Sequence, residues 1–366
     1  VMFIMVMMIT IASLVVVMNW LFVLLASQRT TQLADTLALS AVAGILDDGL
    51  LEDDPVVDTA TNQPDDEAEV TTLVGDLRIL NNAATATRLQ LDGADITIVF
   101  GHVTDVTMPI TGANFDTAPL AGTLFNAVRI DVLRDPAGAN PLELMIRSLG
   151  APDAVKVTSA AYGLMDSRVV GYRPTANVAS PVVPIAIESD AWFIDRPAGA
   201  SDAVDPNGRF ELTVTLLSNG GVGTANGALI SIDETAPFDI SLIAGQIMNG
   251  ITQADLDVGT DVFGPVAMMT AATQTSPAMA DTDDIIMELN SLVDNRRVFP
   301  VYDTFMDPVE LVGFVGARIL TASDPTAGAD PTITLVIEPE FIVHFTAETD
   351  PAADENLYLH KIRLVR

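Results

Sequence analysis

Residues 1–26 carry no charge, and only Thr10, Ser13 and Asn19 interrupt their run of Val, Ile, Leu, Met, Ala, Phe and Trp. As a helix rising about 1.5 Å per residue, this run is roughly 39 Å long, more than the ~30 Å hydrocarbon core of a bilayer. A secretory signal has an apolar region of only ~7–15 residues and ends at a small-residue cleavage site. Here the pattern instead continues through Ser27, Gln28 and Arg29. Leu33, Leu37, Ala41 and Ile45 then fall on one helical stripe, with Ala34, Ala38 and Val42 beside it. The spacing predicts one helix from near residue 1 to about Leu46, stopped before Gly49 and Pro55. Bare in water it would expose its apolar half, so the segment is expected to work against lipid or against identical helices.

The following stretch, residues 47–69, holds ten acids and two prolines with little periodicity. It reads as a solvated linker, with calcium binding as the alternative. Val/Ile/Thr-rich runs bounded by Gly, Pro or Asp predict strands at 96–100, 125–133 and 155–162, with a short helix at 142–149. Pro174, Pro181 and Pro184 mark a boundary near residue 178. Beyond it a strand is expected at 210–217, then a turn at Asn219-Gly220-Gly221 and a strand at 228–232. Helices follow around 239–248 and 283–294, and strands at 298–302, 311–320, 333–337, 341–345 and 357–365. The pattern gives an α+β chain: a hydrophobic helix over 1–48, an acidic linker over 49–70, and two β-rich, mainly antiparallel domains. The first covers 71–178 with a short helix; the second covers 179–366 with inserted helices and is expected to be sandwich-like.

Charge sharpens this picture. All 49 acids lie at or after Asp35, so the net charge of −32 belongs to the body beyond the apolar run. Such a surface repels nucleic acid and anionic lipid heads, and no nucleic-acid partner is expected. Lys156 and Lys361 are the only lysines, a balance suited either to moderate or high salt, where like charges are screened, or to a generic acidic bacterial surface protein. The absence of cysteine excludes disulfides, zinc–thiolate sites and iron–sulfur clusters.

Candidate chemistry is thin. His102, His344 and His360 lie on or beside expected strands without ligand or triad spacing, and no nucleophile elbow, phosphate loop or His-Glu-x-x-His pattern occurs. Asp205-Pro206-Asn207-Gly208 resembles a calcium loop, but that register puts Ala203 and Val214 where side-chain oxygens are required; a tight turn fits better. Asp281-Thr282-Asp283-Asp284 reads as a helix cap, and Glu188 and Asp190 have no paired carboxylate. No catalytic residue, metal ligand or cofactor is expected.

A family resemblance rests on several ordered segments. The apolar helix runs into Arg29-Thr-Thr-Gln32-Leu-Ala-Asp35-Thr-Leu-Ala38-Leu-Ser-Ala41, and Phe125-Asn-Ala-Val-Arg-Ile130 follows. Then come Val170-Gly-Tyr-Arg-Pro174, Val183-Pro-Ile-Ala-Ile187, Arg297-Val-Phe-Pro-Val-Tyr-Asp303 and Leu311-Val-Gly-Phe-Val-Gly-Ala-Arg-Ile319. Together they resemble the TadE/TadG-like proteins of tight-adherence (Flp) pilus systems, in their large planctomycete-type TadG-like form. The resemblance implies a membrane-inserted, type IV pilin-like start, an exported and mostly β body with a pilin-like domain, and no catalytic residues. The family's small pseudopilins usually carry Glu at the fifth mature position, where Met5 stands here. If Val1 is the mature terminus, helix association rests on apolar packing, Ser13 and Asn19.

The expected function is that of a structural subunit of an extracellular pilus-like filament, a homopolymer with its acidic domains outside. Its assembly helix is read to use Met5, Ile9, Ser13, Val16, Asn19, Trp20, Val23, Leu33, Leu37 and Ala41. The chain would sit in the inner membrane before assembly and at the cell surface afterwards. One alternative is a membrane-anchored minor pilus-assembly or adhesion component. Another is a binding module whose acidic loops hold calcium or glycans, with an adhesion target on a surface or another cell.

Overall fold

The computed structural model describes residues 2–46, 51, 67–83, 85, 89–111, 114–119, 124–137, 140–144, 146, 154–193, 203–217, 226–230, 240–256, 262–264, 279–303, 311–323 and 332–365. The chain divides into two units, the first taking residues 1–47, 57–165 and 362–366 and the second 48–56 and 166–361.

The first unit opens with α1 (Met2–Ala43), 42 residues without a break, as the uncharged run and its in-phase continuation require. A second helix, α2 (Glu67–Ala83), begins inside the stretch read as linker. Val70, Val74 and Leu77 recur at helical spacing along it and pack into the same core as Leu33 to Val42 of α1. Of the remaining expected linker, only residue 51 is among the described residues.

Strands β1 (Ile96–Val103), β2 (Phe115–Asp116) and β3 (Ala127–Arg134) follow, then the short pair β4 (Leu142–Glu143) and β5 (Ala154–Val155), and β6 (Val157–Asp166). β1 pairs antiparallel with β2 and β3, and β3 with β6 in the register Ile130↔Ala161. Alternation along β3 sends Val128, Ile130 and Val132 to one face, where they meet Leu33, Ala34, Leu37, Ala38, Ala41 and Val42 of α1. The helix lies very close to β6. A Cβ added at Gly163 would stand 2.1 Å from the Ala38 carbonyl oxygen, so only glycine admits the approach. The helix expected from Leu142 is corrected: Leu142 and Glu143 are extended and pair with Val155 and Ala154, while 145 and 147–149 lie outside the described residues.

The second unit contains β7 (Val169–Tyr172), β8 (Ile185–Glu188), α3 (Ser189–Phe193), β9 (Leu212–Leu217), β10 (Gly227–Leu229), α4 (Ile240–Asn249), α5 (Met279–Ser291), β11 (Arg296–Tyr302), β12 (Leu311–Ser323), β13 (Thr332–Pro339), β14 (Ile342–Val343), β15 (Ala347–Thr349) and the start of β16 (Leu359–Val365). Six strands close into a barrel in the order β10-β8-β11-β12-β13-β9, in place of the expected sandwich. Most pairings are antiparallel; β8–β11 and β9–β10 are parallel. Val214, Val298, Phe299, Val301, Ile319, Leu335 and Ile337 are fully buried. Closure leaves no bare edge among the six strands, which a two-sheet sandwich would leave.

The division falls at Met165/Asp166 rather than near residue 178, because β7 pairs with β15 (Tyr172↔Ala347) and so joins the second unit. The last strand is shared by sequence: Leu359 and His360 pair with Ile342 and Val343, while Ile362 and Leu364 pack on the α1 core. α5 starts at Met279, so Asp281 to Asp284 lie inside its first turns and do not cap it. The expected turn at 219–221 lies outside the described residues.

Candidate assembly helix and its junction with the first unit

The ten residues expected on the assembly helix fall into three groups. Met5, Ile9, Val16 and Trp20 are 63%, 59%, 67% and 63% exposed, and Ser13 is exposed too. Every residue from Met2 to Leu14 is exposed, and apart from half-covered Val15 and Asn19 so is every residue to Leu21. The one hydroxyl at Thr10 turns back to donate to the Val6 carbonyl at 2.9 Å, removing a polar group from the apolar surface.

Leu33, Leu37 and Ala41 behave differently and correct the expectation. They are buried in the first unit's own core, with Leu37 and Ala41 fully inaccessible, so they cannot serve contacts between chains. The apolar stripe after Arg29 belongs to intramolecular packing.

Asn19 and Val23 form the junction. The Asn19 side-chain amide donates to the Ile146 carbonyl at 2.8 Å, and its Oδ1 accepts from the Ile146 N–H at 3.0 Å. The Asn19 Oδ1 and one of its two amide N–H groups are therefore engaged within the chain. One turn on, Phe22 and Ala26 are buried against Leu142 and Val157, with Val23 and Leu89 packed on the same cluster. Farther up, the Ser159 hydroxyl donates to Thr31 Oγ1 at 3.3 Å, and Ala38 meets Gly163. α1 is thus fixed to β6 from Phe22 upward and uncovered below Asn19.

Phe22, Ala26, Ile146 and Gly163 were not singled out by the sequence. Asn19 and Ile146 are 127 positions apart, and no local pattern marks such a pair.

Titratable groups in the second unit serve its structure. Glu338 is fully buried and accepts from Asn207 Nδ2 at 3.1 Å, from Arg209 at 3.4 Å and from Arg318. Arg209 also reaches Glu340 at 3.0 Å, and Arg318 pairs with Asp205. Asp205 to Gly208 is a turn, with Gly208 at φ 85 and Asn207 Oδ1 accepting from the Arg209 N–H at 3.0 Å. Its one acid, Asp205, is paired with Arg318, and among the described residues no group of three or more His, Cys, Asp or Glu is arranged to hold a metal ion.

The histidines are dispersed. His102 Nδ1 lies 2.9 Å from the Leu124 carbonyl at the surface. Burial lowers His344, whose ring stacks on Phe345. Burial drives His360 down to about 4, its Nε2 bonded to the Leu357 carbonyl at 2.9 Å.

Compared with protein-family models, with curated proteins and with solved structures, the chain matches none.

Proposed function

We propose that this chain is a structural subunit of an extracellular pilus-like filament of the TadE/TadG-like kind, inserted in the inner membrane before assembly. Supporting it is the uncovered apolar helix below Asn19, offered on all sides by a chain whose folded units are acidic. In a filament that surface packs against the same surface of other copies, and the acidic units form the outside. The exposed segment up to Leu21, and not the buried stripe from Leu33, supplies the contacts.

Val16→Asp tests this. Val16 is exposed in the single chain, so both units fold normally, but in an assembled helical core the carboxylate would be buried and unpaired, costing several kcal/mol per subunit. Sheared surface material is imaged with an antibody against the chain. Filaments labelled in wild type and absent in Val16→Asp support the reading; normal labelled filaments in the variant refute it.

A second reading, a membrane-anchored minor assembly or adhesion component, is favoured by one length. Met2 to Asn19 is 17 helical steps, about 26 Å at 1.5 Å each, close to a ~30 Å hydrocarbon core. It calls for the chain to stay with the membrane fraction after shearing.

A further inference from the structure

The two helices of the first unit leave a groove at the end of their contact nearer the bare segment. α2 runs back along α1: a Cβ at Gly44 would meet Val70 and Leu73 toward the start of α2, whereas Arg29 donates to Thr85, just past its end, at 3.4 Å. Between Arg29, Gln32 and Leu33 on one side and Leu77, Leu80 and Asn81 on the other lies an open cavity of about 610 Å³. That falls within the ~300–1,000 Å³ range of small-molecule sites. Its lip is apolar and uncovered: Ile79 and Leu80, near the end of α2, are 57% and 70% exposed. An exposed stripe of α1, Met18, Leu21 and Leu25, leads into the groove, and Arg29 follows about 6 Å beyond Leu25. A hydrocarbon core that ends at Leu25 therefore puts Arg29 and Leu80 inside the ~5–8 Å interfacial layer of a bilayer. Arg29 is the first charge in the chain, is exposed, and forms no ion pair among the described residues. Nor is its guanidinium spent on the end of α2, where the Asn81 and Asn82 carbonyls accept from Thr85 Oγ1 and Gln90 Nε2.

We propose that this groove holds the head and upper acyl segment of a zwitterionic phospholipid, with Arg29 on the phosphate and Leu77 and Leu80 on the acyl chain. The proposal rests on the membrane-inserted stage of the reading above. A phosphodiester offers the planar guanidinium two acceptor oxygens, and Gln32 and Asn81 bring side-chain amides to the same cavity. A second copy satisfies the site less well. Residues 1–26, the apolar surface it has to offer, hold no acid to pair with Arg29. Asp35 lines the same groove and disfavours a head of net negative charge.

The full chain in vesicles of phosphatidylethanolamine and phosphatidylcholine supplies the test, with flotation reporting insertion. The chain lacks cysteine, so Ile79→Cys and Ala68→Cys each carry one nitroxide. Ala68 is exposed at the opposite end of α2, about 17 Å from Ile79 along the helix. The Ile79 label should collide several-fold less often with a water-soluble nickel chelate than the Ala68 label. In mild detergent, native mass spectrometry of the unlabelled chain should show one phosphatidylethanolamine retained. Arg29 is exposed, so Arg29→Gln should unfold at the wild-type temperature while holding that lipid at least about tenfold more weakly, with Arg29→Lys between the two. Phosphatidylglycerol should bind no more tightly than phosphatidylethanolamine, and tighter binding overturns the zwitterionic assignment. A chain that floats with its Ile79 label as open to chelate as Ala68, or that holds lipid equally well in Arg29→Gln, overturns the groove as a lipid site and leaves the membrane reading standing. Shielding of Ile79 that grows with the protein-to-lipid ratio gives the groove to a second copy and overturns the proposal too. A chain that fails to float overturns both.

Discussion

The approach of α1 to β6 at Gly163 can be tested by a single methyl group. In Gly163→Ala the new Cβ would lie 2.1 Å from the Ala38 carbonyl oxygen, 2.8 Å from its carbonyl carbon and 2.9 Å from Val42 Cγ1. Ordinary contact begins near 3.4 Å, so the helix must lift by about 1.3 Å, and two of the three obstructing atoms are backbone that cannot rotate away. Ala34, Leu37, Ala38, Ala41 and Val42 are fully buried on this face, and all lose packing together. Overpacking of this kind costs typically 1–3 kcal/mol, and the rigid obstruction places Gly163→Ala at about 3. At roughly 2–4 °C per kcal/mol for a unit of this size, the melting temperature should fall by about 6–12 °C. The assay is thermal unfolding of the full chain in detergent, with hydrogen exchange of residues 34–42 locating the loss. Gly75→Ala in α2 is the control: its Cβ meets nothing within 4 Å, and relief of helical glycine should stabilise by about 0.5–1 kcal/mol. A Gly163→Ala chain as stable as wild type, with unchanged protection at Ala38, would refute the packing of α1 on β6.

Further outcomes follow from the second unit and the charge pattern. Glu338→Gln removes the buried charge shared by Arg209, Arg318 and Asn207 and should destabilise the second unit by about 3–5 kcal/mol in denaturant titrations; a loss under about 1 kcal/mol would show the cluster is not an anchor. His360 lies at about 4 in the fold against 6.5 for the free side chain, so its stabilising effect is complete above pH 6.5 and lost as pH falls toward 4. The difference is about 3 kcal/mol at 1.36 per pH unit. His360→Gln should flatten that part of the stability–pH curve relative to wild type, and parallel curves would count against the buried neutral ring. Filaments held by helices should survive chelator at moderate salt, whereas disassembly on chelation with the helix intact would assign the adhesive contact to metal-bridged acidic loops.

Elements whose signal is local were legible from residue order alone. An uncharged run followed in phase by Leu33, Leu37 and Ala41 permits only a long helix, and α1 runs unbroken from Met2 to Ala43. Val/Ile/Thr runs placed β1, β3, β6, β9 and β11 to β13 to within a few residues, because the side-chain alternation of a strand is written in its own residues. What periodicity could not decide was which partner covers an apolar face. Leu37 and Val16 are both apolar residues on one helix; the first is fully buried and the second 67% exposed, and only the sheet laid along residues 22–42 separates them. Asn19 likewise looked like a polar group awaiting another helix until the chain returned, 127 residues later, to bring Ile146 against it. Barrel closure in the second unit had the same origin: the strand β8 was missed by the pattern, and it finds its place beside β11 through a pairing of distant segments, Val301 with Ile187. Local periodicity specifies how a segment buries itself; the tertiary structure alone specifies against what.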